Sequence, residues 1–188
     1  MKKINLKQED GFTLVEMLVS IAIFVVLVTV SLGAIASIFD ANRKSQSLKA
    51  VMTNLNFAVE VMAREMRFGT NYHCGSTGNL SQPQNCSSGD SSISFLSSDG
   101  RQIVYSLDSV THQLQKSEDG GGNFLGITAP EITIQSLKFF VVGAGAVPLN
   151  YTQPKVLILL RGYAGSKVSS QSVFTVETTV SQRILDTQ

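Results

Sequence analysis

The chain has 188 residues, with 15 Lys and Arg against 14 Asp and Glu and a formal net charge of +1. That length suits one globular domain plus an anchor, and the charge balance gives no electrostatic case for a nucleic-acid partner. With two histidines, no Gly-rich phosphate loop and no Gly-x-Ser-x-Gly run, no catalytic constellation stands out, so the chain reads as a non-enzyme without a cofactor.

In chain order, a polar leader comes first, from Met1 to Asp10, with Lys2, Lys3 and Lys7. Gly11 closes it. From Phe12 to Phe39 there is a single ionisable side chain, Glu16, and no proline. About 20 apolar residues span the roughly 30 Å hydrocarbon core of a bilayer, so this run is long enough to cross as a helix. An ordinary secretory signal has an apolar core of about 7–15 residues followed by its cleavage site. Here the run is about twice as long, and the candidate cleavage glycine precedes it. Cutting at Gly11 would leave the helix on the mature protein.

A carboxylate in such a run costs roughly 2.5–3.5 kcal/mol on insertion scales at mid-membrane, and less near a helix end. Glu16 therefore asks for a partner. Its local reading is a capping box, with Thr13 as N-cap and Glu16 three residues later; an acid in the first turn also suits the helix dipole. The two readings are compatible.

Polar leader, Gly11, Phe12, then Glu16 five residues past the glycine: together these resemble the type IV prepilin signal. The resemblance implies that an inner-membrane prepilin peptidase cuts between Gly11 and Phe12 and methylates the new amino terminus of Phe12. It also implies that Glu16 pairs with the amino terminus of a neighbouring subunit during assembly. Arg43, Lys44 and Lys49 roughly balance the leader lysines, so the positive-inside comparison is near a tie. The cytoplasmic amino terminus, the single pass through the inner membrane and the extracytoplasmic head follow from the resemblance and from cysteines placed downstream. Gly33 is the only helix-weakening residue in this region, costing about 1 kcal/mol relative to alanine.

The helical pattern continues past Phe39. Leu48, Val51, Met52, Leu55, Ala58, Val59, Met62 and Met66 form an amphipathic stripe, with Asp40–Lys44 and Glu60–Arg64 as favourable i,i+4 pairs. Gly69 stands where a C-cap glycine would sit. One helix from Phe12 to Phe68 would be roughly 85 Å long. The methionines on the stripe read as core.

From Asn71 to Ser92 the composition turns to Gly, Ser, Asn, Gln and Pro and reads as a loop. After it the period changes to two. Ile93 and Phe95 begin a strand, Ser98-Asp99-Gly100 reads as a hairpin turn, and Ile103, Tyr105 and Leu107 continue. A short strand around Leu114 precedes a flexible turn at residues 118–123. In 132–142, Ile132 and Ile134 share one parity and Leu137, Phe139 and Val141 the other, which predicts a β-bulge near Gln135-Ser136. Val156 to Leu160 is apolar on both parities and reads as a central strand covered on both faces. Phe174, Val176, Thr178 and Val180 alternate again.

The expected fold is α+β: a long N-terminal helix whose second half is wrapped by an antiparallel sheet of five or six short strands, the pilin head as the resembled family builds it. The expected segments are a leader at 1–11, a transmembrane and assembly helix at 12–39, an amphipathic helix at 40–69 and a β-rich head at 70–188. Leu137-Lys138-Phe139, Gln153-Pro154-Lys155-Val156, Thr178 to Arg183, and Ala63-Arg64-Glu65-Met66-Arg67 are similar to the J-type minor pseudopilins of type II secretion and the W-type minor pilins of type IV pili. Such subunits form the tip of a filament or initiate it.

Cys74 and Cys86 share a polar loop that this orientation places in an oxidising compartment, where a disulfide is the natural reading, closing a loop worth about 3 kcal/mol. A zinc set of His73, Cys74, Cys86 and His112 matches no common spacing. Glu118, Asp119 and Asn123 offer oxygens but lack the ligand spacing of a known calcium loop; a solvated turn is the plainer reading. No metal is therefore expected. The expected partners are the prepilin peptidase, other pilin or pseudopilin subunits and the inner membrane. The alternative is a single-pass, membrane-anchored extracytoplasmic binding domain that never polymerises.

Overall fold

A computed structural model describes residues 11–75, 80, 82–145, 152–165 and 171–183. The leader, Met1 to Asp10, lies outside the described residues. The chain divides into two units between Ser45 and Gln46.

Helix α1 runs Leu14–Phe68. It begins as its sequence dictates: the Glu16 backbone N–H donates to Thr13 Oγ1 at 3.2 Å, and Met17 N–H donates to the Thr13 carbonyl at 3.2 Å. Thr13 is thus the N-cap, satisfying a donor that the first turn leaves without a helical partner. Through the first unit α1 buries nothing. In the second unit its stripe is buried: Val51, Leu55, Ala58, Val59, Met62 and Met66. Leu48 and Met52 flank the stripe, half-buried.

The end of α1 differs from the expected glycine cap. The first left-handed residue past the helix is Asn71, at φ 55°, a residue type that tolerates that region. Gly69 is required for another reason: a Cβ there would come within 2.5 Å of the Phe95 ring. The terminal carbonyls are met from outside the helix. The Tyr72 hydroxyl bonds the Met66 and Gly69 carbonyls, and Arg183 N–H donates to the Arg67 carbonyl at 2.8 Å. The Arg183 guanidinium lies 5.6 Å over the Phe68 ring. The helix end is therefore fixed to the first strand and to the end of the last.

Nine strands follow among the described residues: β1 Thr70–Cys74, β2 Cys86–Asp90, β3 Ser92–Leu96, β4 Gln102–Leu107, β5 Leu114–Ser117, β6 Leu125–Gly126, β7 Ile132–Val142, β8 Lys155–Ala164 and β9 Ser172–Ser181. They make two antiparallel sheets, ordered β1-β3-β4-β5-β6 and β2-β7-β8-β9. The α+β architecture is as expected, with two sheets in place of one. The segment read as loop contributes β1 and β2. Both are polar, and both sit at sheet edges, where pairing through the backbone does not demand apolar alternation.

The hairpin at Ser98-Asp99-Gly100 forms, with Gly100 at φ 83° and Ser97 N–H bonded to the Arg101 carbonyl at 2.8 Å. The bulge in β7 also forms. Pairing with β8 shifts between Ile134 and Ser136, so Gln135 is the extra residue. Because of it, Ile132 and Ile134 before the bulge and Leu137, Phe139 and Val141 after it all point inward and are buried.

β8 is central, as expected, but is not covered on both faces. Val156, Ile158 and Leu160 are buried, whereas Leu157 and Leu159 are half-buried. One cluster joins the α1 stripe, the inner faces of both sheets, Tyr72 and Cys86.

Candidate functional site

The N-terminal segment places its chemistry in a narrow window. Gly11, Phe12 and Thr13 precede the helix, and Glu16 falls in its first turn. Every residue from Gly11 to Ser47 is exposed, including Phe12, Leu14, Ile21, Phe24, Leu27 and Phe39 among the large apolar side chains. α1 contains a stretch long and apolar enough to cross a membrane, with none of that stretch buried within the chain. An apolar surface of that extent, contiguous and unpartnered, marks a membrane or protein contact.

Three polar side chains of this stretch are handled locally. Ser20 Oγ donates to the Glu16 carbonyl at 2.8 Å, Thr29 Oγ1 to Val25 at 2.8 Å and Ser31 Oγ to Leu27 at 2.7 Å. Each of these three hydroxyls is satisfied one turn back along its own helix, as a lipid environment requires. Glu16 is the remaining charge.

Gly11 is informative by what surrounds it. A Cβ there would meet nothing within 4 Å. Among the described residues nothing in the packing calls for glycine at that position.

Cys74 and Cys86 form a disulfide, with Cα atoms 6.0 Å apart across 12 positions. It bridges β1 of the first sheet to β2 of the second. Beside it the Gln84 N–H donates to the Tyr72 carbonyl at 2.9 Å. His73 and His112 are not drawn into a common site with the cysteines. Among the described residues no group of three or more His, Cys, Asp and Glu is arranged to hold a metal ion.

The turn at residues 118–123 is closed by Asp119. Its carboxylate accepts from the N–H groups of Gly122 and Asn123 at 2.9 Å each, and from Asn123 Nδ2 at 2.6 Å and Ser117 Oγ at 2.5 Å. These bonds, Ser117 foremost, hold the Asp119 carboxyl well below its usual 3.8.

Sequence reasoning did not find a charged network that ties α1 to the first sheet. Glu65, on the flank of the helical stripe, accepts from the Tyr105 hydroxyl at 2.6 Å and from Lys116 Nζ at 2.7 Å. Lys116 also bonds Glu118 at 2.6 Å, and Glu118 bonds Arg101, which holds Asp99 at 2.7 Å. The signal for it was cross-strand: Tyr105 and Lys116 are directly paired in β4 and β5, so one helical carboxylate can reach both. The network borders an open groove of about 450 Å3 whose apolar wall is Leu125 and Ile127.

Burial, then the bond to Glu65, pushes the Tyr105 phenol well above its usual 10.0. Burial works against the Lys116 charge, but Glu118 and Glu65 outweigh it and raise the ammonium above 10.5. Lys116 in turn lowers Glu118 below 4.5.

These directions set a pH profile for the head. The lowered groups, Glu118 and Asp119, contribute stability that is full above their unfolded values and is lost as pH falls through the folded ones. The raised groups, Lys116 and Tyr105, contribute stability that is full below their unfolded values and is lost as pH rises through the folded ones. Urea unfolding followed by circular dichroism should therefore show a plateau from about pH 5 to 9, with decline on both sides. Lys116→Met should flatten the part of the acid limb that Glu118 contributes. A profile identical to the native one in that variant would show that the network is energetically silent.

Residues 6–38 match the family described as the prokaryotic N-terminal methylation motif. The match spans the end of the leader, Gly11, Phe12, Glu16 and nearly all of the apolar run, and it supports a type IV prepilin-like chain anchored by a single apolar helix. Neither the curated proteins nor the solved structures compared with the chain gave a match.

Proposed function

We propose that the chain is a minor pilin or pseudopilin, a structural subunit rather than an enzyme, that assembles through its N-terminal helix. In this reading a prepilin peptidase cuts between Gly11 and Phe12 and methylates Phe12. The protein then waits in the inner membrane with its amino terminus in the cytoplasm and its head outside. From there it enters a type IV pilus or a type II secretion pseudopilus. The C-terminal similarity to J-type pseudopilins and W-type minor pilins favours a place at the tip or in the initiating complex. Glu16 pairs with the amino terminus of Phe12 in an adjacent subunit.

One observation carries the reading. The methylation motif at residues 6–38 coincides with a helix whose apolar side chains the chain itself leaves exposed. A non-polymerising anchored binding domain would account for the apolar helix but not for the motif at its head.

The test is intact-mass analysis of the membrane-extracted protein. The expected mature chain begins at N-methylated Phe12. Finding Met1 to Gly11 still attached, in cells with an active prepilin peptidase, would overturn the reading. Gly11→Val should leave the leader in place, because a peptidase that approaches the backbone closely needs a residue without a side chain. The variant is a clean probe, since a Cβ at that position meets nothing within 4 Å among the described residues.

A further inference from the structure

The two sheets have four edge strands, and three of them are closed or short. β1 and β2 are stapled to each other by the disulfide. β6 is two residues long. The fourth, β9, is ten residues long and pairs with β8 at every position from Ser172 to Ser181 without a register shift. Among the described residues nothing pairs with its other side.

An edge strand of that length presents unpaired N–H and C=O groups at alternate residues. Proteins usually blunt such an edge with proline, lysine, a bulge or a short strand. β9 reads Ser-Val-Phe-Thr-Val-Glu-Thr-Thr-Val-Ser, with no proline, lysine or bulge and with Glu177 as its one charge. Phe174 and Val180 anchor its inner side in the core. On the outer side Val173 is 68% exposed, and Thr175, Glu177 and Thr179 are exposed as well.

We propose that the free edge of β9 is a strand-docking site for an extended segment of a different protein chain that carries a Lys or Arg facing Glu177. An added strand continues the second sheet by backbone pairing, the mode known as β-augmentation. Its outward side chains lie beside those of β9, whose β-branched character suits such pairing. Glu177 is the only charge on β9, and among the described residues no cation pairs with it.

Charge also selects against a second copy of this chain. An antiparallel two-fold pair of β9 strands keeps like faces together. The two longest such registers set Glu177 opposite its own copy, or opposite Thr175 with the two glutamates diagonal to each other. Like charges so placed repel. The proposal concerns the head alone and stands or falls independently of helix-mediated assembly.

The experiment uses the full chain in detergent micelles and two synthetic peptides. One is Thr-Val-Thr-Val-Lys-Val-Thr-Val-Thr; the other has Glu in place of the central Lys. Amide hydrogen exchange over the β9 segment is read by mass spectrometry. The Lys peptide should slow exchange of the β9 amides that point away from β8 by about tenfold or more. It should bind at least about tenfold more tightly than the Glu peptide. Glu177→Lys, at an exposed position, should keep the native circular dichroism and reverse the preference. Unchanged β9 exchange with both peptides would overturn the proposal, as would equal protection by both. Concentration-dependent protection of β9 without any peptide would assign the edge to a second copy and overturn the choice of partner.

Discussion

Glu16→Ala is expected to insert in the membrane, to be cleaved after Gly11 and to fail in crosslinking to partner subunits. Insertion survives because a polar group has been removed from an apolar run, and cleavage survives because the processing junction lies upstream. The helix start survives as well. The N-cap bond uses the Glu16 backbone N–H and the Thr13 hydroxyl, and alanine keeps that N–H. What disappears is the carboxylate alone. If it neutralises a neighbour's amino terminus in low dielectric, its loss leaves that amine uncompensated, at a cost of about 3–5 kcal/mol. Crosslinks between cysteines engineered along adjacent helices should then fall by more than about a hundredfold. The pairing also favours one axial offset between helices, so crosslinks that survive should scatter in register. Native crosslinking and filament formation by Glu16→Ala would reduce Glu16 to a first-turn acid that complements the helix dipole.

The second large effect is expected from the disulfide. Replacing Cys74 and Cys86 together with serine should destabilise the head by about 3 kcal/mol, the chain-entropy value for a loop of this size. For a domain of this length that corresponds to a fall in Tm of about 10 °C. The placement adds a structural reason. The bond joins edge strands of different sheets, and Cys86 itself belongs to the core cluster. Without it β1 keeps its backbone pairing and the buried Tyr72, and the polar β2 keeps its backbone pairing to β7. A thermal melt with and without reductant measures the effect, and coincident curves would show that the bond is dispensable. Reduction should also speed hydrogen exchange in β1 and β2 before the rest of the head.

Some of this architecture was written in local pattern. The α1 stripe was readable because a helix that lays one face on a core repeats its apolar residues every three or four positions. The β7 bulge was readable because a parity slip between Ile134 and Leu137 has few other physical meanings. Thr13 as N-cap followed from the same local logic. What was missed depends on distant partners. β1 and β2 are polar and short, and they exist because β3 and β7 offer them backbone groups. The outer face of β8 is only half-covered although Leu157 and Leu159 suggested burial, since hydrophobicity alone does not say what lies above a strand. Gly69 looked like a left-handed cap, yet Phe95, far away in sequence, decides it. The Glu65 network needed the β4–β5 register before its members could be placed together. At the N-terminal segment the sequence was more informative than the fold: Gly11, Phe12 and Glu16 are exposed, so the reading of them rests on the matched motif and not on packing.

Under the proposed assembly, the back-bonded hydroxyls of Ser20, Thr29 and Ser31 would bear on how the helix leaves one environment for another. A helix that relied on neighbours to satisfy those groups would break hydrogen bonds on departure and have to rebuild them on arrival. Here each donor travels with its own acceptor. For these three groups, an exchange of lipid tails for the side chains of sister helices would alter dispersion contacts and leave the hydrogen bonds intact. Such a transfer would keep these three hydrogen bonds and leave Glu16, at the head of the helix, as the charged group whose surroundings change.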